Sequence, residues 1–216
     1  NESGKAYYVL LADGATAPSA SEVKSGTGTS GASAIASGNS SITADTEATI
    51  SVSGLTSETA YDIYVVLEDG SSNANLQSSP TKVDVTTADI TAPTISSTAP
   101  ATNVYVNHTK VSYTLSEAIA SGTITWTRTG GTEDTNSPQA KALAGAELNS
   151  GAHTDIALTN NPTLVDGTVY TVSFDATDAG GNTATTVSNT SVTYDGTAPV
   201  ISSTSPGTNS YVNHTK

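Results

Sequence analysis

The residues whose type and spacing could do chemistry are acidic and sit at turns. Glu117 lies in Ser116-Glu117-Ala118, and Asp175 and Asp178 open the stretch Asp175-Ala176-Thr177-Asp178-Ala179-Gly180-Gly181-Asn182. Asp89 lies in Ala88-Asp89-Ile90-Thr91-Ala92-Pro93, which reads as a linker. Carboxylate and amide oxygens are hard ligands that suit Ca²⁺, which takes six to eight of them. Asp89, Glu117, Asp175, Asp178 and Asn182 therefore form a candidate calcium set. A second set pairs Glu2 with Asp69 and the adjacent Glu68, and a third rests on Asp195 in Tyr194-Asp195-Gly196-Thr197-Ala198-Pro199. The competing reading is solvated turn acids, with Asn and Gly serving the turn geometry. No dense Asp-x-Asp-x-Asp-Gly loop is present.

Other chemistries find less support. Gly26-Thr27-Gly28-Thr29-Ser30-Gly31 spells a dinucleotide fingerprint, but that motif needs a strand before it and a helix after it. Its flanks here are Ser, Gly and Ala. His108, His153 and His214 have no Cys and no second His at zinc spacing. A turn or interface role suits them better. No Ser-His-Asp arrangement has local support, and no cleft is implied for a glycosidase-type carboxylate pair. The chain is read as a non-enzyme without an organic cofactor. Asn1, Asn39, Asn107, Asn189 and Asn213 each begin Asn-x-Ser/Thr, which matters only in a source that glycosylates secreted proteins.

The elements that must hold these residues read as strands. Tyr170, Val172 and Phe174 alternate with Thr171, Ser173 and Asp175, the period of a strand with one buried face. The same pattern appears at Tyr61 to Asn73, with Tyr61 aligned to Tyr170, Asp69 to Asp178 and Asn73 to Asn182 without a gap. Two copies of one strand and loop imply two copies of one domain. Further strands are expected at Lys5–Ala12, Ala48–Val52, Thr81–Thr87, Val111–Leu115 and Thr123–Arg128, the last carrying Trp126 as core anchor. Others begin at Ile156 and Leu158 and run through Val192 and Tyr194. Ala17–Lys24 suits a short helical turn, and Gly26–Gly38 a loop or weak edge. Gly130–Ser150 reads as an insertion in which 140–148 is a helical turn or a poor strand. Gly54-Leu55 and Thr59-Ala60-Tyr61 look like a tyrosine corner, in which the phenol bonds back to the turn before it.

Thr94–Lys110 and Val200–Lys216 agree at 13 of 17 positions at an offset of 106 residues, a sandwich-domain length. The expected division is 1–88, a sandwich short of its first two strands; 89–195, a complete sandwich; and 196–216, a linker and the first strand of a following repeat. A first domain without two strands has an unpaired edge and an open core. A neighbouring segment, such as Val200–Lys216 of another copy, would fill it; upstream residues outside this sequence are the plainer explanation. In such a sandwich the loops after the second and sixth strands lie where the chain comes in. That brings Glu117 and Asp178 towards Asp89.

Composition narrows the setting. Twenty acidic residues face seven basic ones among 216, for a formal charge of −13. That sign repels nucleic acid and anionic membranes and attracts divalent cations. There is no Cys, hence no disulfide and no thiolate chemistry. No apolar run reaches membrane-spanning length.

Gly54-Leu55, Thr59-Ala60-Tyr61 and Tyr64-Val65-Val66 resemble the fibronectin type III signature. Asp89-Ile90-Thr91-Ala92-Pro93, Asp195-Gly196-Thr197-Ala198-Pro199 and Asp178-Ala179-Gly180-Gly181-Asn182-Thr183 resemble bacterial immunoglobulin-like repeats. The resemblance implies an all-β chain of tandem immunoglobulin-like or fibronectin type III-like antiparallel β-sandwiches. It also implies a secreted, cell-surface setting and an adhesin-like stalk stacked end to end on neighbouring repeats, with calcium at the junctions. The alternatives are a filament subunit that shares strands between chains, a module that binds glycan or protein, and an accessory domain of a secreted carbohydrate-active enzyme.

Overall fold

The structure is a computed structural model, which describes residues 2–205, 207, 208 and 213. The strand expected to open a further repeat does not form in its described part, since Ile201–Ser205, the counterparts of Ile95–Ala99, carry no strand and have no described strand beside them to bond; the rest of that segment, with His214, lies outside the described residues. Among the described residues the chain is all-β apart from one short α-helix and two turns of 3₁₀ helix, and it divides into two compact units, Asn1–Thr91 and Ala92–Lys216. No helix among the described residues is long and apolar enough to cross a membrane.

The first unit is one antiparallel sheet with a helix on one face. Its strands are β1 (Gly4–Ala12), β2 (Ala36–Ile42), β3 (Ala60–Asp69) and β4 (Thr81–Thr86), in the order β2-β1-β3-β4. Helix α1 (Ala20–Ser25) starts at a capping box. The Ser19 side chain accepts from the Glu22 N–H, and the Glu22 carboxylate accepts from the Ser19 N–H. Two otherwise orphaned donors are thereby satisfied. The helix stops at Gly26, whose φ of 78° is open to glycine at little cost. Ala20 and Val23 pack on Val9, Leu11, Tyr64 and Val66. The core of this unit thus lies on the even-numbered face of β3. The face that carries Tyr61, Ile63 and Val65 looks the other way.

Of the two forms open to the segment 26–38, its last residues take the weak edge and enter the edge strand β2. One sequence expectation fails in this unit. Ala48–Val52 forms no strand. A period of two yields a strand only when a neighbouring strand is there to bond, and the second unit shows which neighbour that would be.

The second unit is a sandwich. One sheet, in the order β10-β7-β5, contains β5 (Ile95–Ala99), β7 (Val111–Leu115) and β10 (Gly151–Ile156). The other, in the order β6-β12-β11-β8-β9, contains β6 (Tyr105–Val106), β8 (Ser121–Gly131), β9 (Gln139–Ala142), β11 (Thr168–Thr177) and β12 (Val187–Tyr194). Val111, Tyr113 and Leu115 of one sheet meet Ile124, Trp126, Tyr170, Val172, Phe174 and Val192 of the other. Trp126 is fully buried and sets its ring edge-on to Tyr170 at 5.8 Å. The strand expected to begin at Ile156 instead ends there, and Leu158 stays in the core just beyond it. In the 140–148 segment, β9 is followed by a turn of 3₁₀ helix at Gly145–Leu148.

The two units share one strand pattern. The first unit's order β4-β3-β1-β2 corresponds to β12-β11-β8-β9 of the second. In the second unit, β10 bonds to β7. The segment matching β10 in the first unit is Ala48–Val52. No counterpart of β7 exists there among the described residues, which leaves that segment without a strand to pair with.

Candidate metal centre

β11 ends in a loop that folds back on itself. Thr177 bridges Thr183, and the Asp178 N–H donates to the Asn182 carbonyl at 3.1 Å. The Asp178 carboxylate is 3% exposed. Its two oxygens accept from the backbone N–H and the side-chain amide of Asn182, at 2.8 and 2.9 Å. Gly181, at φ 89°, lets the chain turn tightly enough for this. Burial pushes the Asp178 carboxyl upward, but the hydrogen bonds from Asn182, Gly181 and Gly180 outweigh it and hold the group below the usual range. Asp178 is therefore an anion inside the fold at neutral pH.

Glu117 meets it there. The turn after β7 brings a Glu117 carboxylate oxygen within 4.8 Å of one from Asp178. This turn also marks where the chain comes into the unit. Ser116 donates its N–H to the Thr94 carbonyl at 3.1 Å, and the Thr94 N–H donates to the Ser116 hydroxyl at 2.9 Å. Two carboxylates so close repel each other unless a cation or a proton lies nearby.

The other expected ligands fall elsewhere. Asp175 sits on β11 with its side chain on the outward face, where it accepts from the Thr186 hydroxyl. Asp195 closes a turn by accepting from the Thr197 N–H at 3.3 Å. Asp69 is the counterpart of Asp178, but its carboxylate is already engaged. It accepts from the N–H and hydroxyl of Ser71 and from the N–H and amide of Asn75. These bonds hold its pKa down at about 2. Its partner is Asn75, where the sequence alignment pointed to Asn73. The loop is two residues longer than its copy, and bonding to the strand end, not spacing, selects the partner. Glu68 turns to the helix-covered face, where it binds Tyr7 at 2.8 Å and pairs with Lys24. Glu2 is exposed beside the open face of the sheet. Among the described residues, no group of three potential ligands includes Glu2, Asp69, Asp175 or Asp195.

Asp89 belongs to a joint that occurs twice. Its carboxylate accepts from the Thr91 N–H at 2.9 Å and from the Ser57 hydroxyl at 3.4 Å, and Ser57 in turn accepts from the Ile90 N–H at 3.0 Å. After the second unit, Asp166 accepts from the Gly196 N–H at 2.6 Å and the Thr197 hydroxyl at 2.8 Å. Ser57 and Asp166 each lie four residues before the corner tyrosine. Both outgoing linkers are thus tied to the domain they leave.

The corner itself forms in both units. The Thr56 N–H donates to the Tyr61 phenol and the Val165 N–H to the Tyr170 phenol, each at 3.1 Å. Tyr170 also donates to Asp134 at 2.9 Å. Asp134 is buried and accepts from Gln139 and from the Asn136 N–H as well. Sequence reasoning passed over Asp134 because nothing local marks an insertion acid as buried. His153 stacks on Tyr113 at 4.6 Å.

The two packed sheets of the second unit form an immunoglobulin-like β-sandwich. Residues 89–194 match the family model described as bacterial Ig-like domain, so the chain carries an immunoglobulin-like domain over that span. Domains of this family are typically non-enzymatic and occur in bacterial surface proteins. A comparison with curated proteins returns no match.

Proposed function

We propose that this chain is a stalk segment of a bacterial surface protein, with its domains joined end to end and Ca²⁺ stiffening the joint before the second domain. The observation that carries this reading is the Glu117–Asp178 pair at the point where the chain comes into the immunoglobulin-like domain. Asp89, five residues before Thr94 and the first residue of the family match, supplies the third carboxylate in this reading. Asn182 holds Asp178 in its ionised form. The tied linkers add to the case. A stalk needs joints that resist bending, and Pro93 and Pro199 fix one dihedral each within them.

The test is thermal unfolding with excess Ca²⁺ and with a chelator. A ligand that binds only the folded state stabilises it by about 2.7 kcal/mol at a hundredfold excess over Kd. No shift would return Glu117 and Asp178 to the class of turn acids and leave stiffness to packing and Pro.

One observation favours a second reading. In the first unit the face with Ala6, Tyr8, Ile63, Val65 and Leu67 borders a cavity of about 630 Å³, and Leu67 is 45% exposed. In the second unit the matching face is covered by β7 and β5. Strands of that kind from another copy would build a filament of shared strands. Sedimentation over a wide concentration range decides this, since a monomer throughout removes the reading.

A further inference from the structure

A second acidic cluster lies in the first unit, away from the residues discussed above. Asp62 sits on β3, paired across to Leu11 on β1 and to Asp84 on β4. Asp13 follows the end of β1 on the same side of the sheet. One carboxylate oxygen from each of Asp13, Asp62 and Asp84 lies within 4.8 Å of the others. Asp62 is 0% exposed, and apart from the Lys82 ammonium no donor among the described residues satisfies either of its oxygens. Its nearest opposite charge is Lys82, whose ammonium lies 3.0 Å from Asp62 and 2.7 Å from Asp84.

This arrangement is out of balance. Three carboxylates share one ammonium, and the most deeply buried carboxylate has that ammonium as its one cationic partner among the described residues. A buried carboxylate is expensive unless it is both charge-paired and hydrogen-bonded. Asp178 in the other unit shows the ordinary solution, with amide donors on both oxygens. Asp62 lacks such amide donors, and one of its oxygens lies within 4.8 Å of oxygens from Asp13 and Asp84.

We propose that Asp13, Asp62 and Asp84 form a divalent-cation site, with Ca²⁺ as the fitting ion, and that the Lys82 ammonium holds the place when no ion is bound. Oxygens on opposite sides of one Ca²⁺ stand about twice the bond length of 2.3–2.6 Å apart. The three acids therefore reach a common ion without movement of the sheet. Asp13 and Asp84 are exposed, which leaves room for the water ligands that complete a Ca²⁺ shell. An all-oxygen set with no His or Cys favours Ca²⁺ over zinc. Lys82 has a side chain 41% exposed on a flexible stem, so it can swing into solvent as the ion enters. The site joins the end of β1 to β3 and β4, and binding there would clamp one end of the first unit's sheet.

Calorimetric titration of the whole chain with Ca²⁺ tests this. The double variant Asp13→Asn/Asp84→Asn changes two exposed residues and is expected to lose one class of binding site. Glu117→Gln/Asp178→Asn is expected to keep that class, which separates this site from the joint before the second domain. Lys82→Gln is expected to bind Ca²⁺ more tightly, because the competing ammonium is gone. Asp62→Asn should abolish the site, with circular dichroism checking that the sheet persists. An unchanged titration in Asp13→Asn/Asp84→Asn would overturn the site, whatever happens at Glu117 and Asp178. Binding no tighter in Lys82→Gln would overturn the exchange with the ammonium.

Discussion

Asp69 and Asp178 occupy the same place in two copies of one loop, each stapled by an asparagine backbone N–H and amide. What separates them is the company each keeps. Asp178 is buried and meets Glu117, whereas Asp69 is half-buried and spends its oxygens on Ser71 and Asn75. Asp69 is held at about 2, and the hydrogen bonds on Asp134 and Asp178 keep those groups low despite burial. A carboxyl with a depressed folded-state pKa contributes stability above its unfolded value and loses it as pH falls through the folded value. Denaturant unfolding should therefore show stability level above about pH 4 and falling towards about pH 2. Asp69→Asn should make that fall shallower. The corner tyrosines make a second comparison. Tyr170→Phe strands both the Val165 N–H and one bond to buried Asp134, at about 1–3 kcal/mol. Tyr61→Phe breaks the corner bond and the contacts to the Thr56 and Thr59 side chains but leaves no buried carboxylate short of a donor, and should cost less, as chemical denaturation of the two variants would measure.

At the scale of elements, helix α1 is short enough that its ends decide whether it forms. Its capping box and the left-handed Gly26 do what six residues of propensity cannot. Ser19→Ala should cost about 1 kcal/mol and loosen Ala20 and Val23 from the sheet. Gly26→Ala should cost more than its propensity suggests. The added carbon would meet the Ser37 hydroxyl at 2.9 Å on a backbone of positive φ. Proton exchange in β1 and β3, which lie under the helix, would report both. The same helix decides which face of β3 is core. In β11 the Tyr170, Val172 and Phe174 face packs against a second sheet. In β3 the equivalent face buries Tyr61 but has no second sheet over Ile63 and Val65, and Tyr64 and Val66 on the other side join the helix-covered core.

For the whole molecule, each unit has its own core, and the single tryptophan lies in the second. Fluorescence of Trp126 therefore follows the immunoglobulin-like domain alone, while circular dichroism follows both units. If Ca²⁺ binds at Glu117 and Asp178, the fluorescence transition should move up with the ion, and the shift should vanish in Glu117→Gln/Asp178→Asn. A shift that survives in that variant by circular dichroism but not by fluorescence would belong to the first unit. The formal charge of −13 makes non-specific screening part of any salt response, so the comparison must hold ionic strength constant.

The period of two, the sparse charge and the turn residues were enough to declare an all-β chain, because burial of one strand face is written into every second residue. They also placed β1, β3, β4, β7, β8 and β12 and the tyrosine corner, all of which depend on neighbours in the sequence. The Ala48–Val52 pattern was equally clear and formed no strand, because pairing needs a second chain segment that sequence alone does not supply. The site divided in the same way. Asp178, Glu117 and Asp89 stood out as turn and linker acids, since loop position is a local property. Asp175 turns outward and Asn75, not the aligned Asn73, binds Asp69, because side-chain direction and loop closure are decided in three dimensions. Asp134 and Asp62 carried no local mark at all. A carboxylate becomes costly, and so informative, only when distant strands close over it, and only the tertiary structure decides which ones are covered.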